Sequence, residues 1–124
     1  QGTGRVLVGY DGSLAAQRAL PVAGWLATMA NAQLEVLMIE SDTDKLAALM
    51  DDARAFFTPF DRPLHLTGTT GKPAQVLLEA GKQPGVHALV MGGFGQHRLS
   101  EWIFGSTTQT VLRHVPCPVV LTRP

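Results

Sequence analysis

Residues 87–108 read HALVMGGFGQHRLSEWIFGSTT. An aliphatic run ends in Gly92 and Gly93, a polar loop carries Trp102, Ile103 and Phe104, and Gly105 opens a run of three hydroxyl residues. Residues 88–92 (ALVMG) are too few for a helix and rich in aliphatic side chains, as a buried strand requires. From Ser106 the pattern turns helical and stops near His114, ahead of Pro116. A strand therefore passes through a glycine-rich loop into a helix, the repeating half of an α/β fold. The first N–H groups of such a helix lack intrahelical partners and sit at the positive end of its dipole. Ser106, Thr107 and Thr108 can add hydroxyl donors there, a phosphate cradle that needs no lysine. Capping by Gly105 and Ser106, with threonines facing solvent, is the plainer reading of the same residues, and the fragment alone leaves both standing.

Working outward, four more short apolar runs read as strands. They are residues 5–10 (RVLVGY), 34–39 (LEVLMI), 63–68 (PLHLTG) and 118–122 (PVVLT). Helical spacing fills the gaps. Ala16, Ala19, Leu20, Ala23, Leu26 and Ala27 form one stripe between Ser13 and Met29, although Pro21 within it predicts a kink or a late start. Leu46, Leu49, Met50, Ala53 and Phe56 or Phe57 form a second, with Asp42 or Thr43 as its cap. Pro73 suits the first turn of a third helix over residues 74–80, which Gly81 closes. Alternating strands and helices predict an α/β fold on a mostly parallel sheet. The first and fourth strands are apolar on both faces and belong in its middle. The third alternates Leu64, His65, Leu66, Thr67 as a half-exposed edge should. The fifth ends the sheet with an apolar edge, so a second copy or a sister domain is expected to cover Val119, Val120 and Leu121.

The bulk numbers narrow the function. A chain of 124 residues with 45 % hydrophobic residues fits one domain with a real core, and residues 1–4 are read as linker. The formal net charge is zero, which argues against nucleic acid or an anionic membrane as the main partner. Cys117 has no partner for a disulfide, and His65, His87, His97 and His114 lack metal-ligand spacing. No apolar run reaches the ~18 residues of a membrane span, and no signal peptide is visible, so a cytoplasmic protein is expected.

If the first and fourth strands are neighbours, chain order reverses between them, and open parallel sheets bind ligands beyond the carboxyl ends of the strands at that point. Residues 10–13 (YDGS) and 91–95 (MGGFG) converge there. Asp11 has two readings: a turn-building carboxylate, or a ligand group that reaches a base, a ribose or a water-bridged Mg²⁺. His97 and Arg98 can reach phosphates or stay in solvent. Trp102, Ile103 and Phe104 read as anchors of the loop. Gly71, Lys72 and Pro73 read as a helix start, with Lys72 on the ligand side of the sheet.

Gly92, two residues, Gly95, nine residues and then Gly105-Ser106 match G-x₂-G-x₉-G-[ST]. With RVLVGYDGS, GKPAQVLLEA, ALVMGGFG and GSTTQTVLRHVPCPVVL, this resembles the nucleotide-binding branch of the universal stress protein family over nearly the whole chain. The resemblance implies a three-layer, five-stranded parallel sheet in order 3-2-1-4-5 with helices on both faces, ATP (or ADP or AMP) at the switch point, and homodimerisation through the last strand. It further implies that Gly9, Tyr10, Asp11 and Ile39, with Met91, line the adenine and ribose side. Gly92, Phe94, Gly95, Gly105, Ser106, Thr107 and Thr108 would hold ribose and phosphates. The sequence departs from the family pattern at Gly9, where proline or alanine is usual, and in VHALV, which lacks an acidic residue before the fourth strand. The short segment between the second and third strands resembles the second half of a tandem protein; an excised half and a compact single domain both stay open.

Three functions compete. One is a regulator that binds ATP and turns it over slowly at most, since no compelling catalytic set stands out. A second is an interaction module in which the glycine loop is a relic. The third is an ATP-using enzyme on a related fold, and fold alone does not choose among them.

Overall fold

The computed structural model describes residues 4–93 and 106–124. In chain order it runs β1 (Arg5–Gly9), α1 (Leu14–Ala30), β2 (Gln33–Ile39), α2 (Thr43–Phe57), β3 (Leu64–Thr69), α3 (Pro73–Gly81), β4 (Val86–Gly92), α4 (Ser106–His114) and β5 (Val119–Thr122). The five strands form one parallel sheet in order β3-β2-β1-β4-β5. β1 and β4 are interior neighbours, and β3 and β5 are the edges, as the sequence pattern predicts.

Alternation along each strand divides the core in two. Val6 and Val8 of β1, Val36 and Met38 of β2 and Val90 of β4 pack against α1 and α2. Leu7, Leu37, Leu89 and Met91 face the other way, toward Leu77 of α3 and Val111 of α4. Two helices thus cover each face. The buried side of α1 is mostly alanine, with Ala15, Ala16, Ala19, Ala23 and Ala27 almost fully enclosed. Small side chains let this helix lie close to the sheet, which matters at the site below. Among the described residues, no helix is long and apolar enough to cross a membrane.

Three local expectations change. Pro21 neither delays nor breaks α1, which starts at Leu14 behind a Ser13 cap and runs through to Ala30. Pro21 is exposed, as is Gln17 one turn earlier, so the carbonyl left without an N–H partner stands on the solvent side. Gly81 does not close α3 as a left-handed cap. It is the last helical residue, buried where an added Cβ would run into Val115. The linker expected over residues 1–4 does not include Gly4, which is buried and accepts a hydrogen bond from Gln33 N at 3.0 Å.

Candidate functional site

β1 ends at Gly9, and the chain must turn at once to enter α1. Gly12 makes the turn at φ +82°, a conformation that glycine adopts without strain. Asp11 Oδ1 accepts from Ser13 N at 2.9 Å, and Ser13 Oγ accepts from Ala16 N at 3.1 Å. The first is an Asx turn and the second an N-cap. They fix the direction in which α1 departs and leave the Asp11 carboxylate exposed at the mouth of a cleft.

This cleft has a volume of about 320 Å³ and lies beyond the carboxyl ends of β1 and β4. Its apolar wall comes from Leu37 and Ile39 of β2, Met91 of β4, and Pro73 and Leu77 of α3. Opposite stand Gly9, Tyr10, Asp11 and Ser13 of the first turn with Ala16 of α1. Gly92 and the first turn of α4, Ser106 to Thr108, complete the lining. Among the described residues the α4 first turn carries no acidic residue, which leaves the positive end of its dipole favourable to an anion.

Nine of the twelve residues named from the sequence therefore meet in this cleft: Gly9, Tyr10, Asp11, Ile39, Met91, Gly92, Ser106, Thr107 and Thr108. Phe94, Gly95 and Gly105 lie outside the described residues, as do His97, Arg98, Trp102, Ile103 and Phe104. Lys72 caps α3 from an exposed position without lining the cleft; its neighbour Pro73 does the lining. The sequence reading also passed over Leu37, Leu77 and Ala16, and named Ser13 only as part of the YDGS turn. Leu37 precedes Ile39 by one strand period and Leu77 follows Pro73 by one helical turn, so periodicity held the signal for both.

Several lining residues have structural duties as well. An added Cβ on Gly92 would stand 2.8 Å from Ala15 Cβ and 3.0 Å from Ala16 N, so glycine is needed there for α1 to approach β4. Thr108 is 3 % exposed, and its hydroxyl donates to Gly93 O at 3.3 Å. With its hydrogen so directed, this side chain offers a ligand lone pairs, whereas Thr107 and Ser106 are more open to solvent. The Tyr10 ring belongs to the core between α1, α2 and the sheet, and its hydroxyl donates to Asp52 Oδ2 at 3.5 Å. Burial first, and then the Asp52 carboxylate, push the phenol pKa above its ordinary value. Among the described residues no group of three or more His, Cys, Asp or Glu could hold a metal ion directly.

Comparison with known proteins places this geometry. The family model described as "Universal stress protein family" matches residues 40–123. The chain is similar to universal stress protein Slr1230 of Synechocystis sp., with 26 % identity over 121 residues, covering 96 % of this chain and 42 % of that protein. It thus spans less than half the length of that relative. Among solved structures, a universal stress protein in complex with cAMP superimposes with a TM-score of 0.81 at 23 % identity, over 99 % of this chain and 98 % of the other. An Arabidopsis thaliana protein of the same family with AMP bound gives a TM-score of 0.71 at 16 % identity, over 97 % and 91 %.

Proposed function

Because this chain belongs to the universal stress protein family, we propose that it is a regulatory module that binds an adenine nucleotide in the switch-point cleft. The observation that carries this reading is the pairing of two unlike walls. Leu37, Ile39, Leu77 and Met91 offer a flat purine an apolar slot, and the first turn of α4, which carries no acidic residue, brings the positive end of its helix to the same cleft, where an anion is favoured. Two structural neighbours were solved with cAMP and AMP, ligands that carry this same combination of purine and phosphate.

In this reading the purine lies against the β2–α3 wall. The ribose approaches Gly9 and Asp11, and the phosphates reach Ser106 and Thr107. Gly92, Thr108, Phe94, Gly95 and Gly105 complete the set that the family resemblance assigns. ATP is the nucleotide we take it to bind, with turnover slow at most. Any Mg²⁺ would travel with the phosphates and meet Asp11 through water, since the described residues offer no direct chelating group. The β5 edge would pair with a second copy or with a sister domain in a longer protein.

The test is a thermal melt of the purified chain with ATP, ADP, AMP and cAMP in turn, with phosphate release followed in parallel. A nucleotide at about 100 times its dissociation constant adds roughly 2.7 kcal/mol. For a domain of this size that raises the melting temperature by about 10 °C. No shift with any of the four would refute nucleotide binding and favour a nucleotide-independent interaction module. Rapid multiple turnover would instead establish an enzyme.

A further inference from the structure

The elements around the cleft are joined by a short hydrogen-bonded relay that begins at the far edge of the sheet. Thr122, the last residue of β5, pairs in register with Gly92 of β4. Its hydroxyl donates to Ala15 O in the first turn of α1 at 2.8 Å, with Met91 O also within reach at 3.4 Å. Its carbonyl accepts from Gly93 N at 2.9 Å, and Gly93 O in turn accepts from Thr108 Oγ1 in the first turn of α4. The backbones of Ala15, Thr122 and Gly93 and the hydroxyls of Thr122 and Thr108 thus link α1, β5, β4 and α4. Three of these elements line the cleft, through Ala16, through Met91 with Gly92, and through Thr108. Thr122 itself does not line it.

The chemistry of the two partners in register explains the fit. Gly92 has no side chain, so the first turn of α1 comes into contact with the end of β4. The Thr122 hydroxyl beside it is then within range of a carbonyl that belongs to that turn. A valine at residue 122 would preserve the shape and β-branching but leave the Ala15 and Met91 carbonyls without this donor. The hydroxyl at this position bonds α1 to the sheet at the point where Ser13 and Ala16 enter the cleft.

We propose that Thr122 is a positioning residue for the ligand cleft, holding the first turn of α1 and the end of β4 in the geometry that binds the ligand. The ligand's identity as an adenine nucleotide rests on the function proposed above; the positioning role does not.

The experiment compares wild type with Thr122→Val and Thr122→Ser, and with Thr122→Ala should the valine variant not fold. Amide hydrogen exchange on the ligand-free proteins comes first. Faster exchange is expected at Ala16, Gln17 and Gly93 in the variants without a hydroxyl, with unchanged exchange in α3 and recovery in Thr122→Ser. An unchanged pattern, a uniform acceleration across the sheet, or no recovery with serine would overturn the proposal. Isothermal titration with AMP and ATP comes second. Thr122→Val should bind about tenfold more weakly, the loss of one hydrogen bond's worth of positioning, and Thr122→Ser within about twofold of wild type. Equal affinities for wild type and Thr122→Val would also overturn it. Should wild type bind no adenine nucleotide, the proposed ligand falls, and the exchange comparison still decides the role of Thr122.

Discussion

Gly9 and Gly92 both line the cleft, and the structure predicts opposite consequences for giving each a methyl group. At Gly92 the new Cβ would lie 2.8 Å from Ala15 Cβ, 3.0 Å from Ala16 N and 3.1 Å from Ala15 C. Two of these are backbone atoms of a capped helix turn and cannot swing aside, so α1 or β4 must move. Overpacking of this kind costs about 1–3 kcal/mol. An unfolding entropy near 2.1 cal/mol/K per residue converts a mid-range loss of ~2 kcal/mol into a drop of about 8 °C in melting temperature. At Gly9 the nearest atoms to an added Cβ are Leu77 Cδ2 at 3.4 Å and Met91 Cβ at 3.9 Å, ordinary van der Waals contact. Alanine in a strand there should be neutral or gain up to about 1 kcal/mol from reduced unfolded-state entropy. Its methyl group would lie in ordinary contact with Leu77 and Met91, and alanine is a usual residue at this position in the family pattern. Calorimetric melts of Gly9→Ala and Gly92→Ala, paired with AMP titrations, separate the two effects. Gly9→Ala should keep both its melting temperature and its affinity; Gly92→Ala should lose both. A Gly92→Ala protein that melts within about 2 °C of wild type would refute the close-approach argument.

Two further outcomes follow from the edge strand and the buried phenol. Pro118 O and Thr122 O both accept from β4, so by alternation the N–H groups of Val119 and Leu121 point away from the sheet. Val119→Pro removes one of them without touching the β4 ladder and should convert a β5-paired dimer to monomer in sedimentation equilibrium; a dimer that persists places the interface elsewhere. Val120 is a poor probe of that edge because it packs against the α1 face of the core, where a charge would test folding instead. Tyr10 is the only tyrosine in the chain, so tyrosinate absorbance titrates it alone. Its folded pKa is raised above the reference 10.0 by burial and by Asp52, which means the native state holds this proton more tightly than the unfolded chain. The resulting stability is fully present below the unfolded pKa and is lost as pH rises through the folded one. The midpoint in the native protein should lie above 10, and Tyr10→Phe should lessen the stability loss on the alkaline side. A native midpoint at or below the reference value would contradict the burial of the Tyr10 ring and its contact with Asp52.

Much of the architecture was legible because it rests on periodicity. The interior position of β1 and β4 followed from their apolar faces, and the edge position of β3 from its alternation. The alanine stripe of α1 was visible, and Pro21 proved harmless because its missing N–H faces solvent, which depends on where the helix lies and not on propensity alone. The site was legible in part for the same reason. Residues that follow strand ends were found; those that project from α3 were not, since Pro73 and Leu77 enter the cleft only when α3 packs on β1 and β4. The side on which the Tyr10 ring lies was readable but unread. It shares parity with Val6 and Val8, so alternation directs its ring to the α1 and α2 face, away from Leu7 and Gly9. The bond from Thr122 to Ala15 joins residues 107 apart in sequence, and no local pattern encodes it.

The first glycine of the G-x₂-G-x₉-G-[ST] spacing carries less functional information than its place in the motif suggests. Gly92 would be required even in a protein that bound nothing, because α1 occupies the space its side chain would need. A motif match at this position therefore supports the fold before it supports a ligand. The stronger argument for a nucleotide lies in residues the motif does not contain. Leu37, Ile39, Leu77 and Met91 form the apolar wall of the cleft, the first and last two buried in the core and Ile39 half-buried. That apolar wall stands next to the first turn of α4, which carries no acidic residue and brings the positive end of its dipole to the cleft. A ligand with a flat apolar face and an anionic tail satisfies both at once. Substitutions along that wall that spare the glycines are thus the sharper probe. Ile39→Glu, at a half-buried position on the ligand side, places a carboxylate where the purine would lie; nucleotide affinity should fall while the α1–β4 contact at Gly92 stays intact.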